Sequence, residues 1–116
     1  MVSRDYILWE VDTQMDFMMP GGHLYVPGAE KLLPNIRRLT DLARENRVFL
    51  VSHGCFHVPN DPEFKIFPPH CVKGTSGAEF VPEAQAAGGG NTQGSGVSTY
   101  AGELSSRSSA CVVSAS

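Results

Sequence analysis

Hydrophobic positions follow two different periods along the first half of the chain. Residues 6–11, YILWEV, form a nearly continuous apolar run, the pattern of a strand covered on both faces. Residues 13–28 then carry Pro20, Gly21, Gly22, Pro27 and Gly28, which predicts a loop. Beyond it Leu32, Leu33, Ile36, Leu39, Leu42 and Ala43 recur at helical spacing, so one face of an amphipathic helix is apolar. Pro34 has no amide hydrogen and fits only a first turn, which starts the helix at about Leu33 or Pro34; the pattern ends it near Asn46. Residues 48–52, VFLVS, read as a second buried strand. Strand, helical crossover and strand make a right-handed βαβ unit with parallel strands, so the expected fold class is α/β.

The pattern changes in the last part of the chain. Eleven of the twelve acidic residues and eight of the nine basic ones lie in residues 1–83. Residues 84–116 hold six of the twelve glycines and eight serines, too little apolar side chain to offset the cost of ordering the backbone. Residues 1–83 are therefore expected to form the structured part and 84–116 a linker-like or disordered tail, with residues 110–113 as its one candidate strand. A sheet of so few strands leaves an unpaired edge, which predicts self-association into a homo-oligomer.

Charge and cysteine content narrow the function classes. The net charge is −3 and no basic run occurs, which argues against a nucleic-acid partner and a polybasic membrane tether. No apolar stretch reaches the ~20 residues of a bilayer span, and the N-terminal residues lack a signal-peptide core, so the expected location is the cytoplasm. Three cysteines, Cys55, Cys71 and Cys111, are an odd number without framework spacing and read as thiols.

Ligands of open parallel sheets gather beyond the carboxyl ends of the strands, which directs attention to Asp12 and to the loop that opens at His53. Two roles fit Asp12: a loop cap, or a general acid or base whose proton affinity rises with partial burial. Asp16 reads as a turn stabiliser, and Gln14 as a donor into the same pocket. The loop FHVPNDPEFKIFPPHC carries His57, Glu63 and His70, with Cys55 two residues before the first histidine. Imidazole, carboxylate and thiolate all suit a borderline divalent ion, zinc above all, with iron or manganese where waters remain bound. The competing reading has both histidines bonded to backbone. Pro59, Pro62, Pro68 and Pro69 restrict the unfolded loop and lower the cost of ordering it. Cys71 reads as a buried structural thiol, Cys111 has no neighbouring base, and His23 and His53 read as ordinary polar loop residues.

Taken together, VDTQMDFMMPGGHLYVPGAE and the later FPPHCVKGTSGAEFVPE resemble the isochorismatase-like cysteine hydrolases, nicotinamidase branch, over about residues 6–83. The resemblance implies a three-layer α/β/α, Rossmann-like parallel sheet, of which this chain carries the N-terminal portion. It implies hydrolysis of a small nicotinamide-like amide through a thioester, by an aspartate, lysine and cysteine triad in which Asp12 is the aspartate. It also places metal ligands on Cys55, His57, Glu63 and His70, and pocket positions on Gln14 and Phe17. Cys55 stands where the family has aspartate, which would favour zinc or another soft ion. No lysine follows Lys73, so the triad is incomplete by this pattern and the chain is expected to be truncated or frame-shifted. The alternative is a non-catalytic fragment with a metal-binding loop.

Overall fold

The computed structural model describes residues 5–86 and the backbone of strand residues 98–99 and 110–115. Strand β1 (Ile7–Val11) leads into a single helical turn, α1 (Met15–Met18); helix α2 (Leu33–Arg44) follows, then strand β2 (Phe49–Phe56). Short 3-10 turns cover Pro62–Lys65, Ser76–Ala78 and Pro82–Ala84 before β3 (Ser98–Thr99) and β4 (Ala110–Ala115). The sheet order is β1-β2-β4-β3. β1 and β2 pair in parallel, with Ile7 opposite Phe49 and Val11 opposite His53, as the βαβ pattern requires. β4 runs antiparallel to both β2 and β3. The α/β class is thus the expected one, and the antiparallel pairing lies in the segment that the hydrophobic pattern left nearly blank.

Helix α2 begins as its composition dictates, with Pro34 in the first turn, where no intrahelical amide bond is lost. It ends in a Schellman motif: Arg47 N–H donates to Leu42 O at 2.8 Å and Asn46 N–H to Ala43 O at 3.0 Å. Asn46 takes the left-handed conformation, φ 58°, that this cap needs. The helix packs against one face of β1 and β2, where Leu50 is buried and the Thr40 hydroxyl lies 2.8 Å from Glu10 Oε1.

The expectation that β1 is covered on both faces is corrected here. Side chains alternate across a strand, and those pointing away from α2, Ile7, Trp9 and Val11, are 66%, 60% and 57% exposed. A nearly continuous apolar run reports that both faces are apolar; it does not report that both are covered. β2 is also longer than predicted. Its alternation of half-buried and buried positions continues through His53, Gly54, Cys55 and Phe56, so Cys55 lies on a strand and not in the loop.

Two small cores hold the unit together. One joins Phe56, Cys71, Ala78 and Phe80, with Phe17 against it; the other joins Met18, Ala29, Val81 and Ala84, with Leu33 and Ile36 of α2. Ala84 and Gln85 are buried, so packing continues past residue 83. The remainder of the predicted tail, residues 87–97, 100–109 and 116, lies outside the described residues.

Candidate metal centre

Backbone pairing beyond the end of β2 brings the two loop histidines together. His57 N–H donates to Cys71 O at 2.8 Å and Lys73 N–H to His57 O at 2.8 Å, a short parallel bridge that folds the proline-rich segment back on itself. His70 precedes this bridge by one residue, so its ring meets that of His57, with centroids 4.8 Å apart. Glu63 comes in from the 3-10 turn Pro62–Lys65. One ligand atom from each of His57, Glu63 and His70 lies within 4.8 Å of the others; both histidines are buried and Glu63 is partly exposed.

The hydrogen bonds define what the imidazoles can offer. His57 Nδ1 lies 2.8 Å from Asp61 Oδ2, and His70 Nδ1 lies 2.7 Å from the Pro68 carbonyl oxygen. A carbonyl and an ionised carboxylate only accept, so in the neutral imidazoles these bonds favour the hydrogen on Nδ1 and leave Nε2 free to ligate; Glu63 Oε2 lies 3.6 Å from the same His57 Nδ1. Two imidazole nitrogens and a carboxylate are the protein donor set of an open four-coordinate zinc site, and the residues present fit a divalent ion. Phe64 lies against both rings, at centroid distances of 5.3 Å and 5.6 Å, and Phe17 against His70 at 5.5 Å.

Cys55 falls elsewhere. Its sulfur lies 3.8 Å from Asp12 Oδ1, and the group of three mutually close ligands does not include it. Cys55 sits near the carboxyl end of β2, beside Asp12 at the end of β1. Asp12 is held there in the left-handed region, φ 58°, by a 2.8 Å bond from its N–H to His53 O, and its Oδ1 is also 3.4 Å from His53 Nδ1. A non-glycine residue held at positive φ stores roughly 1–3 kcal/mol of strain, which aspartate tolerates better than most residues.

Gln14 does not donate into a pocket, as its sequence context suggested. It is fully buried, and its Nε2 donates to Cys55 O at 2.7 Å and Ala78 O at 2.8 Å, while Oε1 accepts from Cys55 N–H at 3.0 Å. Both amide hydrogens are engaged, so the side chain clamps the end of β2 to the Ser76–Ala78 turn.

Asp16 does more than stabilise its own turn. One oxygen accepts from His23 N–H and faces His23 Nδ1 at 2.8 Å; the other accepts from Cys71 N–H at 2.8 Å. Burial works to raise the Asp16 carboxyl, but these donors and the nearby imidazole outweigh it and hold the group below its ordinary value. Cys71 sits at φ 46°, a strained conformation fixed by that bond, directly after His70. Its thiol is fully buried and pushed up to about 12, by burial first and then by the charges of Asp16 and Asp12. Burial and the raised thiol agree with a structural role for Cys71. Asp61 and the reach of Asp16 were missed by sequence reasoning; an aspartate four residues after a loop histidine was the available signal for Asp61.

Part of this chain is shared with known proteins. The isochorismatase domain family matches residues 7–91, and the chain belongs to that family. Among solved structures it is similar to the zinc complex of Pyrococcus horikoshii pyrazinamidase, with 36% identity, a TM-score of 0.58, and 66% of this chain and 45% of that one covered. An isochorismatase-like hydrolase from Alkaliphilus metalliredigens gives 29% identity and a TM-score of 0.60 over 70% of this chain and 46% of that one. A curated relative, a "probable inactive nicotinamidase" of Arabidopsis thaliana, is 29% identical, with 67% of this chain and 44% of the relative covered. The chain therefore spans less than half the length of these relatives. No helix among the described residues is long and apolar enough to cross a membrane.

Proposed function

We propose that the chain is the metal-binding portion of a nicotinamidase-like amide hydrolase domain. His57, Glu63 and His70 hold one divalent ion, zinc first and iron or manganese as alternatives, and Asp12 is the acid-base group. The observation that carries this reading is the convergence of the three ligand atoms within 4.8 Å. When bound, such an ion supplies Lewis-acid polarisation of a small amide substrate. The protein's own part is to present two imidazoles as fixed tautomers within aromatic walls. Elemental analysis of the purified chain tests the proposal. About one equivalent of metal is expected in the wild type and none in the His57→Ala, His70→Ala double variant; equal metal in both would overturn it.

One observation favours a second reading, in which this chain itself hydrolyses amides. The Cys55 thiol lies 3.8 Å from Asp12 Oδ1. Asp12 would take the thiol proton as sulfur bonds to the amide carbon; ammonia would leave with that proton, and water would cleave the thioester. Ammonia release from nicotinamide separates the two readings. No release by the metal-loaded chain supports the metal-binding portion, whereas turnover lost in Cys55→Ala supports the second.

A further inference from the structure

The three ligands are not held equally. His70 is oriented by a backbone carbonyl, whereas His57 and Glu63 share a single side chain. Asp61 Oδ2 lies 2.8 Å from His57 Nδ1, and Asp61 Oδ1 accepts from the Glu63 backbone N–H at 2.8 Å. Asp61 is itself fixed, because its N–H donates to Val58 O at 3.1 Å, its carbonyl accepts from Phe64 N–H at 3.0 Å, and Pro62 follows it. Its side chain is only 12% exposed. We infer that Asp61 is the positioning residue of the metal centre, one carboxylate that sets the tautomer and aim of His57 and caps the turn that delivers Glu63. The inference rests on the metal reading above.

The physical case has two parts. A carboxylate behind a ligating imidazole fixes the ring and raises the basicity of the far nitrogen, and losing such a partner typically lowers metal affinity about 10–100-fold. The second oxygen adds a local effect. A capping aspartate satisfies an amide at the start of the 3-10 turn, so the position of Glu63 depends on the same group that orients His57. Asp61 is not itself in the convergent group of three ligands.

Nuclear magnetic resonance of the full chain with nitrogen-15-labelled histidine reads the His57 tautomer without metal, and chelator competition reads zinc affinity. In the wild type His57 is expected as a single Nδ1–H tautomer. Asp61→Asn keeps an accepting oxygen and should retain that tautomer, with affinity within about tenfold of wild type, while Asp61→Ala should lose the tautomer preference and bind about 10–100-fold more weakly. A role confined to capping would leave the tautomer of the alanine variant unchanged, and that result overturns the inference. So does loss of binding as complete as in His57→Ala, which would make Asp61 a ligand. Absence of zinc uptake by the wild type sinks the metal reading and this inference with it; uptake with a tautomer independent of Asp61 sinks this inference alone.

Discussion

Replacing Glu10 by glutamine should stabilise the protein above neutral pH. Glu10 is a carboxyl on the buried face of β1; Thr40 Oγ1 lies 2.8 Å from its Oε1 and 2.8 Å from Ile36 O, while Glu10 Oε2 is buried without a partner among the described residues. A hydroxyl has one hydrogen and cannot donate to both oxygens. A protonated Glu10 resolves this by donating to Thr40, which then donates to Ile36. Burial raises the Glu10 carboxyl from 4.5 to about 7, and the Thr40 bond only partly offsets it. Because the folded-state value is the higher one, the linked stability is complete below about pH 4.5 and is lost as pH rises through about 7. At about 1.4 kcal/mol per unit, the loss amounts to about 3 kcal/mol. Glu10→Gln places a neutral donor against Thr40 and should recover up to that amount. Urea denaturation of both proteins at about pH 5 and about pH 8 measures it, and the difference between them isolates Glu10 from other titrating groups. A difference that does not grow with pH would refute the reasoning.

Two further outcomes follow from the packing around Asp16. A Cβ at Gly77 would stand 2.1 Å from Asp16 Oδ2, so Gly77→Ala should lower the unfolding free energy by roughly 1–3 kcal/mol; an unchanged denaturation midpoint would contradict that contact. Cys71, fully buried with its thiol pushed up to about 12, should resist iodoacetamide in the native protein and react after unfolding. Peptide mapping checks this, and rapid native labelling would show the thiol to be accessible.

Much of the βαβ unit was legible because its signals are local. Pro34 and the spacing of Leu33, Ile36 and Leu39 mark the helix without reference to any partner. The loop ligands His57, Glu63 and His70 were legible as residue types of the right chemistry. Their convergence was implied by the family resemblance and not by their spacing, because it depends on the bridge between His57 and Val72. The placement of Cys55 against Asp12 depends on how far β2 continues, which strand pairing decides and local composition does not. Asp16 and Asp61 escaped because their partners are backbone amides and a ring nitrogen fixed by tertiary structure. The exposure of Ile7, Trp9 and Val11 could not be read from an apolar run alone.

The central claim is that two imidazoles and a carboxylate bind one ion, with Cys55 standing apart from it. X-ray absorption at the zinc edge of the loaded chain tests this most directly. The account predicts a nitrogen and oxygen shell at about 2.0–2.1 Å with imidazole scattering and no sulfur shell at about 2.3 Å, and loss of the bound zinc in the His57→Ala, His70→Ala variant. A sulfur shell that disappears in Cys55→Ala, or zinc retained by the double-histidine variant, would contradict it.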